Sequence, residues 1–181
     1  ALGILRQPKM AFVENVGNTL NSSGAETKPV YSPNYQDRIY FSSNREGSTG
    51  GQRNSLGLLD EKNGHYFSDM YYSDFIEGNW TPPTTFLPLL NTPKHDLVMD
   101  FNNEGNILYY GVSMGNNTID YYSDTFNVDY NYAKLPVKVA LPMKGELGDK
   151  DFFIFNDSLI FFASQHLPGY GGYDLFYCQK N

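Results

Sequence analysis

Catalysis or metal binding in this chain would have to be built from three histidines, His65, His95 and His166, one cysteine, Cys178, and twenty acidic residues. The histidines are far apart and none falls in a His-Glu-x-x-His or similar spacing, so each reads as a loop or junction residue rather than a ligand. No serine sits in a Gly-x-Ser-x-Gly elbow, which leaves acyl transfer without its nucleophile signature. Sugar hydrolysis needs two carboxylates roughly 5 to 9.5 Å apart in a pocket. Asp37, Asp96, Asp149, Asp151 and Asp174 could supply such a pair. Aspartate beside Gly, Asn or Pro, however, more commonly caps a turn through its own backbone. Asp69 and Asp174, each just ahead of an aromatic stretch, read in that way, as do Gly171 and Gly172 beside Asp174. Asp149-Lys150-Asp151 and Asn156-Asp157 offer a sparse oxygen set for calcium, without the Asp-x-Asp-x-Asp-Gly loop and distal Glu of a dedicated site. A single cysteine cannot form an internal bridge, and with no Cys/His cluster there is no zinc site; Cys178 on a terminal strand reads as a small apolar side chain. The expectation is a chain with no catalytic residues and no cofactor, calcium being the only metal with any ligands to meet it.

Composition excludes further classes. The chain has 181 residues, 13 basic and 20 acidic, for a net charge of −7. A surface of that sign repels phosphate backbones, and no Lys/Arg cluster lies beside aromatics, so no nucleic-acid partner is expected. No apolar run approaches the roughly 20 residues of a membrane-spanning helix; the longest are Phe152-Phe153-Ile154-Phe155 and Leu159-Ile160-Phe161-Phe162-Ala163. The opening Ala1-Leu2-Gly3-Ile4-Leu5-Arg6 lacks a basic stretch followed by a long apolar one, so no signal peptide is expected here, and the start without Met fits a processed or excised segment. A chain of this length buries enough surface to hold one core without disulfides.

The elements that would position any site are strands. Aromatics make up 16% of the chain, alongside 17 Gly and 10 Pro, a mixture of strand formers and turn formers. Tyr71-Tyr72-Ser73-Asp74 recurs as Tyr121-Tyr122-Ser123-Asp124 and, more loosely, as Phe176-Tyr177-Cys178. Ahead of each copy lies an aromatic strand: Ile39–Ser43, Leu108–Ser113 and Ile160–Ser164. Ahead of each of those lies a turn (Ser32–Asp37, Asn102–Gly105, Asn156–Asp157) and another strand (Val30–Ser32, Leu97–Phe101, Phe152–Phe155). Thr84–Pro88 and Val137–Pro142 supply a fourth strand, and Ala11–Val16 reads as the fourth strand of a preceding unit. Leu20-Asn21-Ser22 ahead of Glu26 matches Leu90-Asn91-Thr92 ahead of Asp96. Leu159–Ala163 and Ile107–Tyr110 are continuous apolar runs, which predicts strands covered on both faces. Four-stranded antiparallel units of about 40 to 50 residues that cover one another describe blades of a β-propeller. The expected fold is therefore all-β, with three propeller repeats of a larger whole: a leading segment 1–27, a blade 28–90 with an insertion 44–68 between its second and third strands, a blade 91–142 and a blade 143–181 with three strands. A flat β-sandwich is the alternative architecture, and in place of a piece of a longer propeller the leading strand could close the last repeat with two copies associating.

Pro29–Asn34 leading into Arg38–Gly47 resembles the WD-repeat-like propeller motif of the TolB type. The stretch Phe162–Phe176, with Pro168-Gly169-Tyr170-Gly171-Gly172-Tyr173-Asp174 at its centre, is similar to propeller blades of OmpA-related envelope proteins of the Bacteroidetes lineage. The second repeat departs from that pattern, with Gly115-Asn116-Asn117-Thr118-Ile119 in place of the glycine-rich turn. The resemblance implies an exported protein of the periplasm or outer membrane, within reach of a type 9 secretion or gliding assembly. Two functions from different classes follow. One is a non-catalytic scaffold that contacts other envelope proteins through Trp80, Tyr170, Tyr173, Arg45 and the 44–68 insertion, since Tyr and Trp bury large area at low rotamer cost. The other is recognition, or hydrolysis, of peptidoglycan or another polysaccharide by aromatics and aspartates. The apolar Phe152–Phe155 strand favours the scaffold.

Overall fold

The computed structural model describes residues 13–85, 90–115, 118–127, 132–133 and 136–180. The fold is all-β, and its larger sheets are three successive antiparallel meanders. The first consists of β1 (Glu26–Tyr31), β2 (Arg38–Ser43) and β5 (Asp69–Ile76), with the short β6 (Asn79–Trp80) and β7 (Thr84–Thr85) both pairing β5. The second consists of β8 (His95–Phe101), β9 (Ile107–Ser113) and β10 (Ile119–Asn127), with β11 (Tyr132–Ala133) and β12 (Val137–Lys138) pairing β10. The third has β13 (Lys150–Phe155), β14 (Leu159–Ser164) and β15 (Asp174–Gln179). Among the described residues no helix is long and apolar enough to cross a membrane.

Local chemistry explains the first hairpin of each meander. Asn156 and Asp157 both have positive φ, 50° and 52°, the type I′ geometry whose twist matches that of the flanking strands. In the second meander Asn102 Oδ1 accepts the N–H groups of Asn106 (3.0 Å) and Ile107 (2.8 Å), and in the first the N–H of Asp37 donates to the Tyr31 hydroxyl at 2.9 Å. The first strand of every meander also carries a bulge, between Thr27 and Val30, Val98 and Asp100, and Lys150 and Phe153. Lys28 and Asp151 take positive φ there and form an ion pair. That pair links β1 to β13, and β8 packs against both strands.

Each meander has a leading and a trailing face: the trailing face of the first meets the leading face of the second, and the trailing face of the second meets the leading face of the third. On the leading faces, cross-strand aromatic pairs occupy equivalent register positions: Phe41–Tyr71, Tyr110–Tyr122 and Phe162–Phe176, with ring centroids 6.1, 5.6 and 6.0 Å apart. Val30, Tyr40, Met70 and Tyr72 on the first trailing face pack against Val98, Leu108, Tyr110 and Tyr122 of the second meander. Leu97, Met99, Tyr109 and Tyr121 on the second trailing face pack in turn against Phe152, Ile160, Phe162 and Phe176 of the third. Leu20, Phe41 and Tyr71 form a smaller cluster on the first leading face. Burial of these apolar areas, at about 25 cal/mol per Å², holds the meanders together.

Three sequence expectations change. The identical Tyr-Tyr-Ser-Asp segments are not in structural register: Tyr71 pairs with Phe41, but Tyr122, not Tyr121, pairs with Tyr110. A slip of one residue moves a side chain to the other face, so Tyr71 lies on a leading face and Tyr121 on a trailing one. Leu159–Ala163 is covered on one face only: Phe162 is buried, while Phe161 on the other face is exposed. Within Ala11–Val16, Val13–Val16 form no strand, and Ala11 and Phe12 lie outside the described residues.

The 44–68 insertion folds into its own hairpin, β3 (Gly51–Arg53) with β4 (His65–Tyr66). Its base is tied to the first meander. Ser48 Oγ lies 3.1 Å from the Ser43 carbonyl and 2.8 Å from the Tyr71 hydroxyl, and the Thr49 N–H donates to Asp69 at 2.7 Å.

Candidate functional site

The side chains with the most chemical potential meet where each meander begins. An acid, Glu26, Asp96 or Asp149, accepts the backbone N–H of a residue just upstream: Ser22 (3.2 Å), Thr92 (2.6 Å) and Lys144 (2.8 Å). Thr92 Oγ1 adds contacts of 3.2 and 3.1 Å to the two Asp96 oxygens. Ahead of these lie Leu20, Leu90 and Met143, each buried in the core cluster beneath its own leading face. The Leu-Asn-Ser and Leu-Asn-Thr repeat signalled this junction; the third copy hides because a 3₁₀ turn, Gly145–Leu147, lengthens its loop.

In two meanders the acid is met by a basic side chain that follows the second strand. Arg45 Nη2 donates to Glu26 at 3.2 Å and to the Leu20 carbonyl at 2.7 Å, while its Nε donates to Ser43 Oγ at 3.0 Å. The guanidinium carbon lies 5.4 and 4.9 Å from the ring centroids of Phe41 and Tyr71. His166 takes the matching place: Nδ1 is 2.8 Å from Asp149 Oδ1 and 3.1 Å from Ser164 Oγ. The register that aligns Ser43, Val112 and Ser164 opposite Asp69, Asp120 and Asp174 puts Met114 at the same place in the second meander. There Asp96, wholly buried, has its carboxyl pushed up to about 7 by burial, with Thr92 and Lys94 acting against that rise and Asp69 adding to it.

Ser164, His166 and Asp149 have the composition of a hydrolase triad but not its wiring. A triad needs the serine on Nε2 and the acid on Nδ1, so that a proton leaves one ring nitrogen while the other is held. Here both contacts fall on Nδ1, and Ser164 and Asp149 are each 1% exposed. The trio joins strands. His95 likewise is not in a loop: it opens β8, its Nδ1 accepts the Ser68 N–H at 3.2 Å, its ring lies 4.4 Å from that of Phe67, and burial lowers its pKa. His65 lies in β4 with its side chain exposed.

The remaining aspartates are dispersed. Asp174 Oδ2 accepts the N–H groups of Tyr170 (2.8 Å) and Gly171 (3.2 Å), and Asp69, in the same register position, accepts Thr49. The Asp69 carboxyl is raised by burial, and its Oδ1 is buried without a partner. A Cβ on Gly171 or Gly172 would meet nothing within 4 Å, whereas one on Gly169 would overlap Asp174 Oδ2. Gly169, which the sequence did not single out, is therefore the glycine that this turn requires. Asp37 lies in the β1–β2 turn, Asp151 pairs with Lys28, and Asp157 accepts the Asn103 N–H at 2.9 Å. Among the described residues no three His, Cys, Asp or Glu side chains group as metal ligands.

Of the side chains read as contact residues, Tyr170 is fully exposed and Trp80 half-buried, with its ring 5.0 Å from that of Phe75. Tyr173 donates to the Gly148 carbonyl at 3.2 Å, with Lys150 Nζ 4.2 Å from its ring centroid. Arg45 is engaged in its clamp. Cys178 is half-buried beside a cavity of about 470 Å³ that Tyr109, Leu141 and Ile160 also line. A groove of about 810 Å³ runs between β1, β8 and β13, past Lys28, Asp100 and Asp151. Asp100 is not free for chemistry there: it accepts the N–H groups of Ile154 (2.7 Å) and Phe101 (2.8 Å).

The hairpin tip is the clearest contact surface in the insertion. Leu56, Leu58 and Leu59 are 80%, 62% and 64% exposed. Asn54 Oδ1 shapes the tip by accepting the N–H groups of Leu56 (2.9 Å) and Leu58 (3.1 Å). No family model, curated protein or solved structure matches the chain.

Proposed function

We propose that each meander is one blade of a β-propeller and that the chain is a non-catalytic scaffold that holds another protein in a bacterial cell envelope. The blade reading is supported by the stacking of leading on trailing faces and by first strands that gather on one side. The envelope setting, at the periplasm or outer membrane and within reach of a secretion or gliding assembly, rests on the resemblance to TolB-type and OmpA-related repeats. The observation that carries the scaffold function is the hairpin tip, where three leucines face water on an ordered stem. Adjacent exposed apolar side chains of this kind mark contact sites. The acids, His166 and Ser164, by contrast, are engaged in joining strands.

The test is affinity capture from solubilised envelope with the wild-type chain and with a Leu56→Ser/Leu58→Ser/Leu59→Ser variant, run beside sedimentation on purified peptidoglycan. The expected result is a discrete protein captured in stoichiometric amount by wild type and lost with the variant, whose circular dichroism is unchanged. Sedimentation with peptidoglycan and no captured protein would replace the scaffold with a glycan-binding function.

A further inference from the structure

The two interfaces between meanders share one register but are not filled alike. On the trailing faces, Tyr109 of the second meander holds the position of Tyr40 in the first. On the leading faces, Ile160 holds the position of Leu108, and Ile154 and Phe101 pair with them in the same way. Lys180 answers to Phe126: the Phe126 N–H donates to the Asn106 carbonyl at 2.8 Å and the Lys180 N–H to the Ser158 carbonyl at 2.7 Å, the same rung of the two ladders.

In the first interface these positions close on one another. The rings of Phe101 and Phe126 lie 5.1 and 5.8 Å from that of Tyr40, the second edge-on at 88°, and 5.1 Å from each other. All three are buried. In the second interface Ile154 and Lys180 stand where the two phenylalanines would be, and there a cavity of about 470 Å³ opens beside Tyr109. Leu141, Ile160 and Cys178 extend its wall. Close packing between sheets leaves few voids, so a gap of this size marks the volume that two missing rings no longer fill. It falls within the range of about 300 to 1,000 Å³ used by small-molecule sites, which pair an apolar wall with a few polar groups. Two charged residues line it, Asp157 and Lys180. Asp157 accepts the Asn103 N–H at 2.9 Å, whereas Lys180 is exposed and makes no ion pair among the described residues.

We propose that this cavity binds a small aromatic carboxylate, its ring in the place that Phe126 fills in the first interface and its carboxylate on the Lys180 ammonium. The ring meets Tyr109 as Phe126 meets Tyr40, in the tilted or edge-on arrangement that aromatic pairs favour. The lysine stem runs along the apolar wall while its charged end stays in water at the rim.

The test uses 3-phenylpropionate, with 3-phenylpropylamine as the cation of matching shape, in isothermal titration calorimetry on the 181-residue chain. Cys178 is the chain's single cysteine, so its rate of modification by a thiol reagent reports on the cavity wall. At about ten times its Kd, 3-phenylpropionate should slow that modification about tenfold. The amine should bind about tenfold more weakly, because it forms no charge-assisted bond with Lys180. Lys180→Met, which keeps an apolar stem without the charge, should weaken 3-phenylpropionate by about tenfold. Lys180→Phe restores the ring of the first interface and should abolish binding with circular dichroism unchanged. Absence of saturable binding by wild type overturns the inference. So does binding that leaves Cys178 reactivity unchanged, binding of the amine as tight as that of the acid, or binding that survives in Lys180→Phe. The hairpin leucines lie outside this cavity, so the scaffold reading is scored separately by capture.

Discussion

Replacing Asp96 by asparagine tests the junction reading most directly. Glu26 and Asp149 meet Arg45 and His166, but Met114 stands at the matching position opposite Asp96. Burial raises the Asp96 carboxyl from 3.8 to about 7. The folded protein therefore keeps a proton that the unfolded chain releases. Stability is highest at the acid end of this window and falls as pH rises from about 4 to about 7, where the loss is complete. At 1.36 kcal/mol per pH unit the ceiling is about 4 kcal/mol, and local relaxation and water entry bring the expected loss to about 2 to 4 kcal/mol. Asp69, also raised by burial, titrates in the same direction, while His95, lowered by burial, acts in the opposite one. The difference between wild type and Asp96→Asn isolates the single site. Urea unfolding followed by Trp80 fluorescence, from about pH 5 to about pH 8, should show the variant losing less stability than wild type and exceeding it at the alkaline end. Met114→Arg, which supplies the missing cation, should recover about 1 to 2 kcal/mol there. Parallel profiles for wild type and Asp96→Asn would refute the reasoning.

Two further substitutions probe the turns and clamps. Gly169→Ala forces Asp174 away from the N–H groups of Tyr170 and Gly171 and should cost about 1 to 2 kcal/mol, whereas Gly171→Ala and Gly172→Ala should stay within about 0.5 kcal/mol; equal effects for all three in chemical denaturation would show that the cap contributes nothing. Arg45→Ala leaves Glu26, whose side chain is 20% exposed, without its cation and also removes the bond to the Leu20 carbonyl. A loss of about 1 to 3 kcal/mol is expected, with Arg45→Lys recovering only part of it because an ammonium cannot reproduce the fork of three contacts.

What the sequence determined by itself is the run of strands and turns. Asn156-Asp157 takes a type I′ turn because both residues tolerate positive φ, and Asn102 folds its own loop through its side chain. These are local events, legible in neighbouring residues. The Leu-Asn-Ser and Leu-Asn-Thr repeat likewise marked two of the three junctions, because the acid and its N–H partner lie four residues apart. Faces and clamps were decided elsewhere. Tyr71 and Tyr121 sit in identical tetrapeptides yet point to opposite sides of their sheets, since register depends on the strand alongside and one residue of slip exchanges the faces. Arg45 reaches Glu26 across 19 residues and His166 reaches Asp149 across 17, contacts that exist only once the first two strands of a meander have paired. Leu159–Ala163 is apolar on both sides, but only the packing of whole sheets decided that Phe162 is covered and Phe161 is not.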